Sequence, residues 1–128
     1  MSQNSEVFYL KNKKKMPACS KCFSLYEASI LGHEKCVQHL LLSATQDDVG
    51  SANTIGATPL FMAAQNGHEA VVQLFLADPR VDVNQATTSG ATPMDIALAN
   101  QHTECALLLL TDPRTNIDRY ENGEVLAF

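Results

Sequence analysis

The sequence predicts an all-α solenoid of paired antiparallel helices with projecting β-hairpin or turn fingers, and three observations carry that reading. The segment GATPLFMAAQNGH at 56–68 returns as GATPMDIALANQH at 90–102. Aligning 56–89 with 90–123 at a spacing of 34 gives twelve identities, ending with Asp-Pro-Arg at 78–80 and 112–114. A fainter copy, Leu25 to Leu42, matches Leu60 to Ala77 at a spacing of 35 through Leu25, Ala28, Gly32, His33, Glu34, Val37, Gln38 and Leu41. Periods of this size mark stacked supersecondary units, none of which buries its apolar face alone. The expected organisation is a basic, flexible tail at 1–22 and a repeat domain at 23–128. Its units fall at about 23–55, 56–89 and 90–123, followed by a short C-terminal tail.

The first unit opens without Thr-Pro, as CFSLYE, but Ser24-x-x-Glu27 has capping-box spacing, and this unit is expected to cap the stack. In the second unit Thr58 is placed to accept a first-turn amide and Pro59 to take the first helical position, where its missing N–H costs nothing. Leu60, Ala63 and Ala64 form a narrow apolar face whose small alanines let a neighbour approach. Gly67 supplies the left-handed residue that stops the helix. The run Glu69 to Leu76, with Val71, Val72, Leu74, Phe75 and Leu76, reads as a second, buried helix. Asp78-Pro79 ends it, and VDVNQATTSG, Val81 to Gly90, reads as a protruding turn or hairpin. In the third unit Thr92-x-x-Asp95 has capping-box spacing and places an acid in the first turn. There Gln101 replaces the glycine, and Asn100, which tolerates left-handed geometry, is expected to shift the turn by one residue. The segment TNIDRYENGEVLAF stops as a fourth unit would begin, so the third unit is expected to fray, to hold a docked tail, or to come from a longer chain.

Composition bounds the rest. At 128 residues, 13.9 kDa and 45% hydrophobic residues, the chain suits one small domain. No apolar run approaches the roughly 18 residues of a membrane span, so none is expected. The N-terminus lacks the order of regions that marks a secretory signal. An intracellular, cytoplasmic location follows as the expectation, with the nucleus also open, and Cys19, Cys22, Cys36 and Cys105 are then free thiols by default. Residues 1–22 carry five Lys and one Glu, while 23–128 carry four basic and thirteen acidic residues. Such an acidic body repels nucleic acid, and none is expected as a partner. The KNKKK run reads as a solvated terminus.

Reactive constellations are weak. Cys19-x2-Cys22-x10-His33-x2-Cys36 offers four ligand types suited to zinc. His33, however, shares a repeated position with His68 and His102, and Cys36 aligns with Val71 on a buried helix, so no metal is expected. His33 and His39 sit six apart, on different helix faces. No nucleophile–base–acid set, phosphate-binding Gly loop or convergent carboxylate pair appears. Asp47-Asp48 and Asp78/Asp82 read as loop and hairpin solubilisers. Neither an enzyme nor a cofactor is expected.

Helix, turn, helix and projecting hairpin, with Thr-Pro-Leu or Thr-Pro-Met opening two units and Gly-His between helices in two, resembles the ankyrin repeat. The resemblance rests on Gly56, Thr58, Pro59, Leu60, Ala63, Ala64, Gly67, His68, Val72, Leu74, Leu76, Val83 and Asn84, and on Gly90, Thr92, Pro93, Ala97, His102, Leu108 and Leu110. The family usually carries His after Thr-Pro-Leu; here Tyr26, Phe61 and Asp95 hold that slot. The resemblance implies recognition of another protein by a concave surface of hairpin tips and first helices. By position that surface takes Asn53, Thr54, Ile55, Ala57, Gln65 and Asn66, then Thr87, Thr88, Ser89, Ala91, Ala99 and Asn100, then Tyr120 and Glu121. Ile55 and Tyr120 are the expected anchors. Leu76-x5-Asp82-Val83-Asn84 also resembles the hairpin favoured by the asparaginyl hydroxylase of this family, which makes Asn84 a candidate for hydroxylation. The expected function is a non-enzymatic adaptor, scaffold or inhibitor. The alternative is a structural fragment that stacks on further repeats or self-associates through its C-terminal repeat, with Leu109 and Leu126 at the open end.

Overall fold

Hydroxyl caps open four of the helices in the computed structural model, which describes residues 24–116 together with 120–121 and 124–125. Ser24 accepts from the Glu27 amide at 3.2 Å and starts α1, Leu25–Leu31. Thr58 accepts from the Phe61 amide and starts α4, Pro59–Gln65; Thr92 accepts from the Asp95 amide and starts α6, Pro93–Ala99. The longer second helices are α2 (Glu34–Ser43), α5 (Glu69–Leu76) and α7 (Thr103–Thr111). Between the first and second units lies α3, Gln46–Val49, one turn held by a Thr45–Asp48 capping box. Strands β1 (Tyr120–Glu121) and β2 (Glu124–Val125) pair antiparallel, Tyr120 opposite Val125.

Two layers result. The first helices stack as α1 on α4 on α6, and the second helices as α2 on α5 on α7. Ala28, Ala63 and Ala97 occupy equivalent positions and all three are fully buried, so the absence of bulk at this slot sets the close approach of the first layer. Val37, Leu60, Val71, Val72, Phe75, Cys36, Cys105 and Leu109 fill the space between layers. At about 25 cal/mol per Å² of apolar surface, this shared core is what makes the units stable together and not apart.

Gly32 and Gly67 meet two demands at once. Both are left-handed, with φ of 75° and 74°, and the histidine ring of the following unit lies where a side chain would stand. A Cβ at Gly32 would sit 2.5 Å from His68 Nδ1, and one at Gly67 would sit 2.7 Å from His102 Nδ1. In the third unit the left-handed residue is Gln101, φ 60°. Asn100 stays at φ −95° and caps α6, so the expected one-residue shift does not occur.

The 81–90 finger is built of turns, one of the two forms expected for it. Two further expectations need correction. Asp48 is no mere solubiliser, because it completes the α3 cap. Asp78 fixes Arg80 through an ion pair at 2.6 Å. With its guanidinium so held, Arg80 donates to the carbonyls of Leu41, at 3.0 Å, and Ala44. Arg114, paired with Asp112 at 3.1 Å, donates to Leu76 O at 2.7 Å, Val81 O at 3.1 Å and Asp78 O at 3.3 Å. Neither α2 nor α5 has a basic residue in its last turn. Their orphan carbonyls are satisfied instead by the arginine of the next unit.

Candidate protein-interaction face

The fingers are built by side chains that bond their own backbone. Asn53 Oδ1 accepts from the amides of Ile55 (3.0 Å) and Ala57 (2.9 Å), and Asn53 Nδ2 donates to Tyr26 Oη at 2.6 Å. Tyr26, in the slot after the helix opening, thereby ties this finger to α1. In the next finger Thr87 Oγ1 accepts from the Ala91 amide at 3.2 Å and bonds Ser89 Oγ at 3.0 Å. The two fingers are joined edge to edge, Thr88 N donating to Ile55 O at 2.9 Å. Gly56, φ 82°, makes this possible, since a Cβ there would stand 3.1 Å from the Thr87 backbone. Phe61 fills the space beneath, packed with Ala57 and Ala91. At the third unit the same slot holds Asp95, which caps α6 by accepting from the Thr92 amide at 2.9 Å.

These placements sort the expected contact residues. Thr54, Ile55, Thr88 and Ser89 are exposed at the finger tips, and Ile55 keeps 54% of its surface. Asn66, Ala99 and Asn100 are exposed and Gln65 half-exposed at the ends of the first helices. These ends stand side by side, Asn100 Nδ2 donating to Gln65 O at 3.1 Å. Ala57 and Ala91 are interior, at 0% and 5%, because they pack on Phe61, and Thr87 is buried under its own finger bonds. They hold the face up and do not form it. Asn53 likewise has both side-chain ends committed to the fold. Tyr120 and Glu121 lie in β1; their side chains fall outside the described residues.

Among the first-helix ends, the row expected from sequence starts at Gln65, in the second unit. Ile30 and Leu31 align with Gln65/Asn66 and Ala99/Asn100, and Leu31 is 41% exposed. His68 Nε2 lies 2.8 Å from Ile30 O, so this end belongs to the same row. The signal was present in the 35-residue alignment. Met62 and Ile96, half-buried and packed on the Phe61 cluster, continue the row between helix ends and fingers. Its exposed residues are mostly neutral and polar at the second and third units, with Met62 and Ile96 half-buried behind them, while Leu31 and Ile55 make it apolar at the first.

Asn84 bridges units. Its Nδ2 donates to Arg114 O and its Oδ1 accepts from the Asn116 amide, both at 2.7 Å. Its own amide donates to Asp82 Oδ1 at 3.0 Å. For the expected open end, Leu109 is fully buried, so it cannot be a contact; Leu107 and Leu110 are the exposed leucines of α7, at 48% and 39%. Leu126 lies outside the described residues.

No reactive centre comes together among the described residues. Cys19 and Cys22 lie outside them, Cys36 is buried at 2% exposure, and no group of metal-ligating side chains converges. Cys105 is buried in the core, and burial, reinforced by the carboxylates of Glu69 and Glu104, pushes its thiol up to about 11. It therefore stays protonated and unreactive at neutral pH. No helix among the described residues is long and apolar enough to cross a membrane.

Comparison with known proteins agrees with this construction. A family model for ankyrin repeats, in three copies, matches residues 7–120, so the matched region begins inside the segment read from sequence as a tail. No curated protein matches the chain. Ankyrin repeats are generally protein–protein interaction modules, typically non-enzymatic and intracellular. Repeat period, two helical layers, joined fingers and a family match over most of the chain agree: the protein belongs to the ankyrin-repeat family.

Proposed function

We propose that this chain is a cytoplasmic adaptor, scaffold or inhibitor without catalytic activity. It grips a protein partner with the row formed by Leu31, Ile55, Thr54, Thr88, Ser89, Met62, Asn66, Ile96 and Asn100. The observation that carries the reading is Ile55: an aliphatic side chain left more than half exposed on a finger whose backbone is fixed from three sides. A rigidly held apolar anchor among hydroxyls and amides is the composition of a binding hot spot and its rim. Proximity labelling in cells with Ile55→Asp tests it, with Gln73→Asp, exposed on the second-helix layer, as the control. A partner set lost from the first and kept by the second supports the reading; a set kept by both removes it.

The exposed Leu107 and Leu110 favour a second reading, self-association through α7. A dimer in sedimentation velocity that Leu110→Lys abolishes supports it, and a monomer at all concentrations removes it. Hydroxylation at Asn84 stands beside these as a separate proposal. Mass spectrometry after incubation with the hydroxylase supports it by an added oxygen on Asn84 and removes it by none.

A further inference from the structure

The first-helix layer presents its outward side chains in two rows. Glu27 and Leu31 lie four residues apart on α1 and are both exposed, so they share one stripe of that helix. By alignment the same two slots hold Met62 and Asn66 at α4, and Ile96 and Asn100 at α6. Because α1 packs on α4 and α4 on α6, one row runs Glu27, Met62, Ile96 and the other Leu31, Asn66, Asn100. Packed helix axes stand about 8–10 Å apart, which sets the step along each row. Glu27 is the only charged side chain of the six, at a slot where the later units carry half-buried aliphatics. Nor is its carboxylate committed to the fold as the capping aspartates are. Asp48 and Asp95 each accept from the cap amide at 2.9 Å. Glu27, at the same spacing from Ser24, is met among the described residues by the Ser24 hydroxyl at 3.4 Å. The described cations lie elsewhere, Lys35 on α2 and Arg80 and Arg114 in the clamps at the ends of the second helices.

We infer that the partner presents a lysine or arginine to Glu27 and aliphatic side chains to Met62 and Ile96, with its basic end on the first unit and its aliphatic end on the third. This rests on the finger-face reading and adds the partner's chemistry to it. Charge complementarity selects the cation. Residues 24–50 carry Glu27, Glu34, Asp47 and Asp48 against Lys35 alone, so a basic group is drawn to this end of the face and an acidic one is repelled. Covering Met62 and Ile96, which rest half-buried on the Phe61 cluster, selects apolar side chains for the remaining two steps.

A phage-displayed library of random peptides, selected on the full chain, tests this. The expected binders are richer in lysine and arginine than the input library. They should bind Glu27→Gln roughly fivefold more weakly than wild type, and bind Glu104→Gln, which makes the same change of net charge on the exposed side of α7, as wild type does. Glu27→Lys should release them, and exchanging the peptide's contacting basic residue for glutamate should restore binding, which a misfolded chain could not do. No binders, binders without basic enrichment, unchanged affinity for Glu27→Gln, equal weakening by Glu104→Gln, or a charge exchange that restores nothing each overturn the inference. The finger face and the cation fail separately. Peptides released by Ile55→Asp but held by Glu27→Gln leave the finger face standing without the cation, whereas peptides that Ile55→Asp still holds remove the finger-face reading itself.

Discussion

At the junction of the first and second units, the His68 ring lies over Gly32 and its Nε2 reaches Ile30 O at 2.8 Å. At the junction of the second and third, the His102 ring lies over Gly67, but the equivalent carbonyl, Gln65 O, is taken by Asn100 Nδ2 at 3.1 Å. The arginine clamps at the two junctions are alike. Each arginine is oriented by the aspartate two residues before it and donates to carbonyls at the end of the preceding second helix. The comparison separates what the stack requires from what it tolerates. A donor must meet the exposed carbonyl at the first-helix turn, yet a ring or an amide serves. The glycine must lack a side chain wherever a ring follows, and Gln101, left-handed like the glycines, stands where no ring of a next unit is described. A further unit bearing histidine in this slot would meet the Gln101 side chain as His102 would meet one at Gly67.

The sharpest way to break this comparison is Gly67→Ala. Left-handed strain and collision with the His102 ring together should cost roughly 3 kcal/mol, read as a lowered urea midpoint. A loss well below 1 kcal/mol would mean that the ring has room to move and the close approach is incidental. Next come Arg80→Ala and Arg114→Ala. Each removes charge-assisted bonds to helix-end carbonyls from a side chain about one-third exposed, so each should lower the urea midpoint by less than Gly67→Ala does. Midpoints that fall unequally would show that the clamps are not equivalent.

Acid should act through the same clamps. Hydrogen bonding to Arg80 holds the Asp78 carboxyl below its ordinary value, and Arg114 does the same for Asp112, in both cases against a smaller opposing effect of burial. The folded state thus binds fewer protons than the unfolded chain below about pH 4. This stabilisation is present above that pH and is lost as pH falls through the depressed folded values. The urea midpoint should hold steady from about pH 7 to 5 and drop below about pH 4, with a shallower drop in Asp78→Asn. The smallest expected effect is Gln101→Gly. Relief of left-handed strain, offset by the freedom glycine gives the unfolded chain, should stabilise by roughly 0.5 kcal/mol.

Periodicity made most of the framework legible. Thr58-Pro59, Thr92-x-x-Asp95 and the left-handed stop at Gly67 act through near neighbours, and the second helices show as dense apolar runs, so local chemistry announced them. What stayed hidden depends on contacts about 30 or more residues apart. Asp-Pro-Arg was visible as a repeated string, but a string does not say that its arginine crosses to Leu41 and Ala44 of the previous unit. Ala57, Thr87 and Ala91 looked like face residues because fingers project; Phe61, with no equivalent in the third unit, draws the alanines inward. Leu31 was overlooked because the first unit lacks Thr-Pro, although its alignment with Asn66 was on hand.

Amide hydrogen exchange of the chain bound to a partner recovered by proximity labelling tests the central claim most directly. The account expects added protection at Ile55, Thr88 and the ends of α1, α4 and α6, with Gln73 and Leu107 in the second layer unchanged. Protection concentrated on α5 and α7, with the finger amides exchanging as in the free chain, would contradict it.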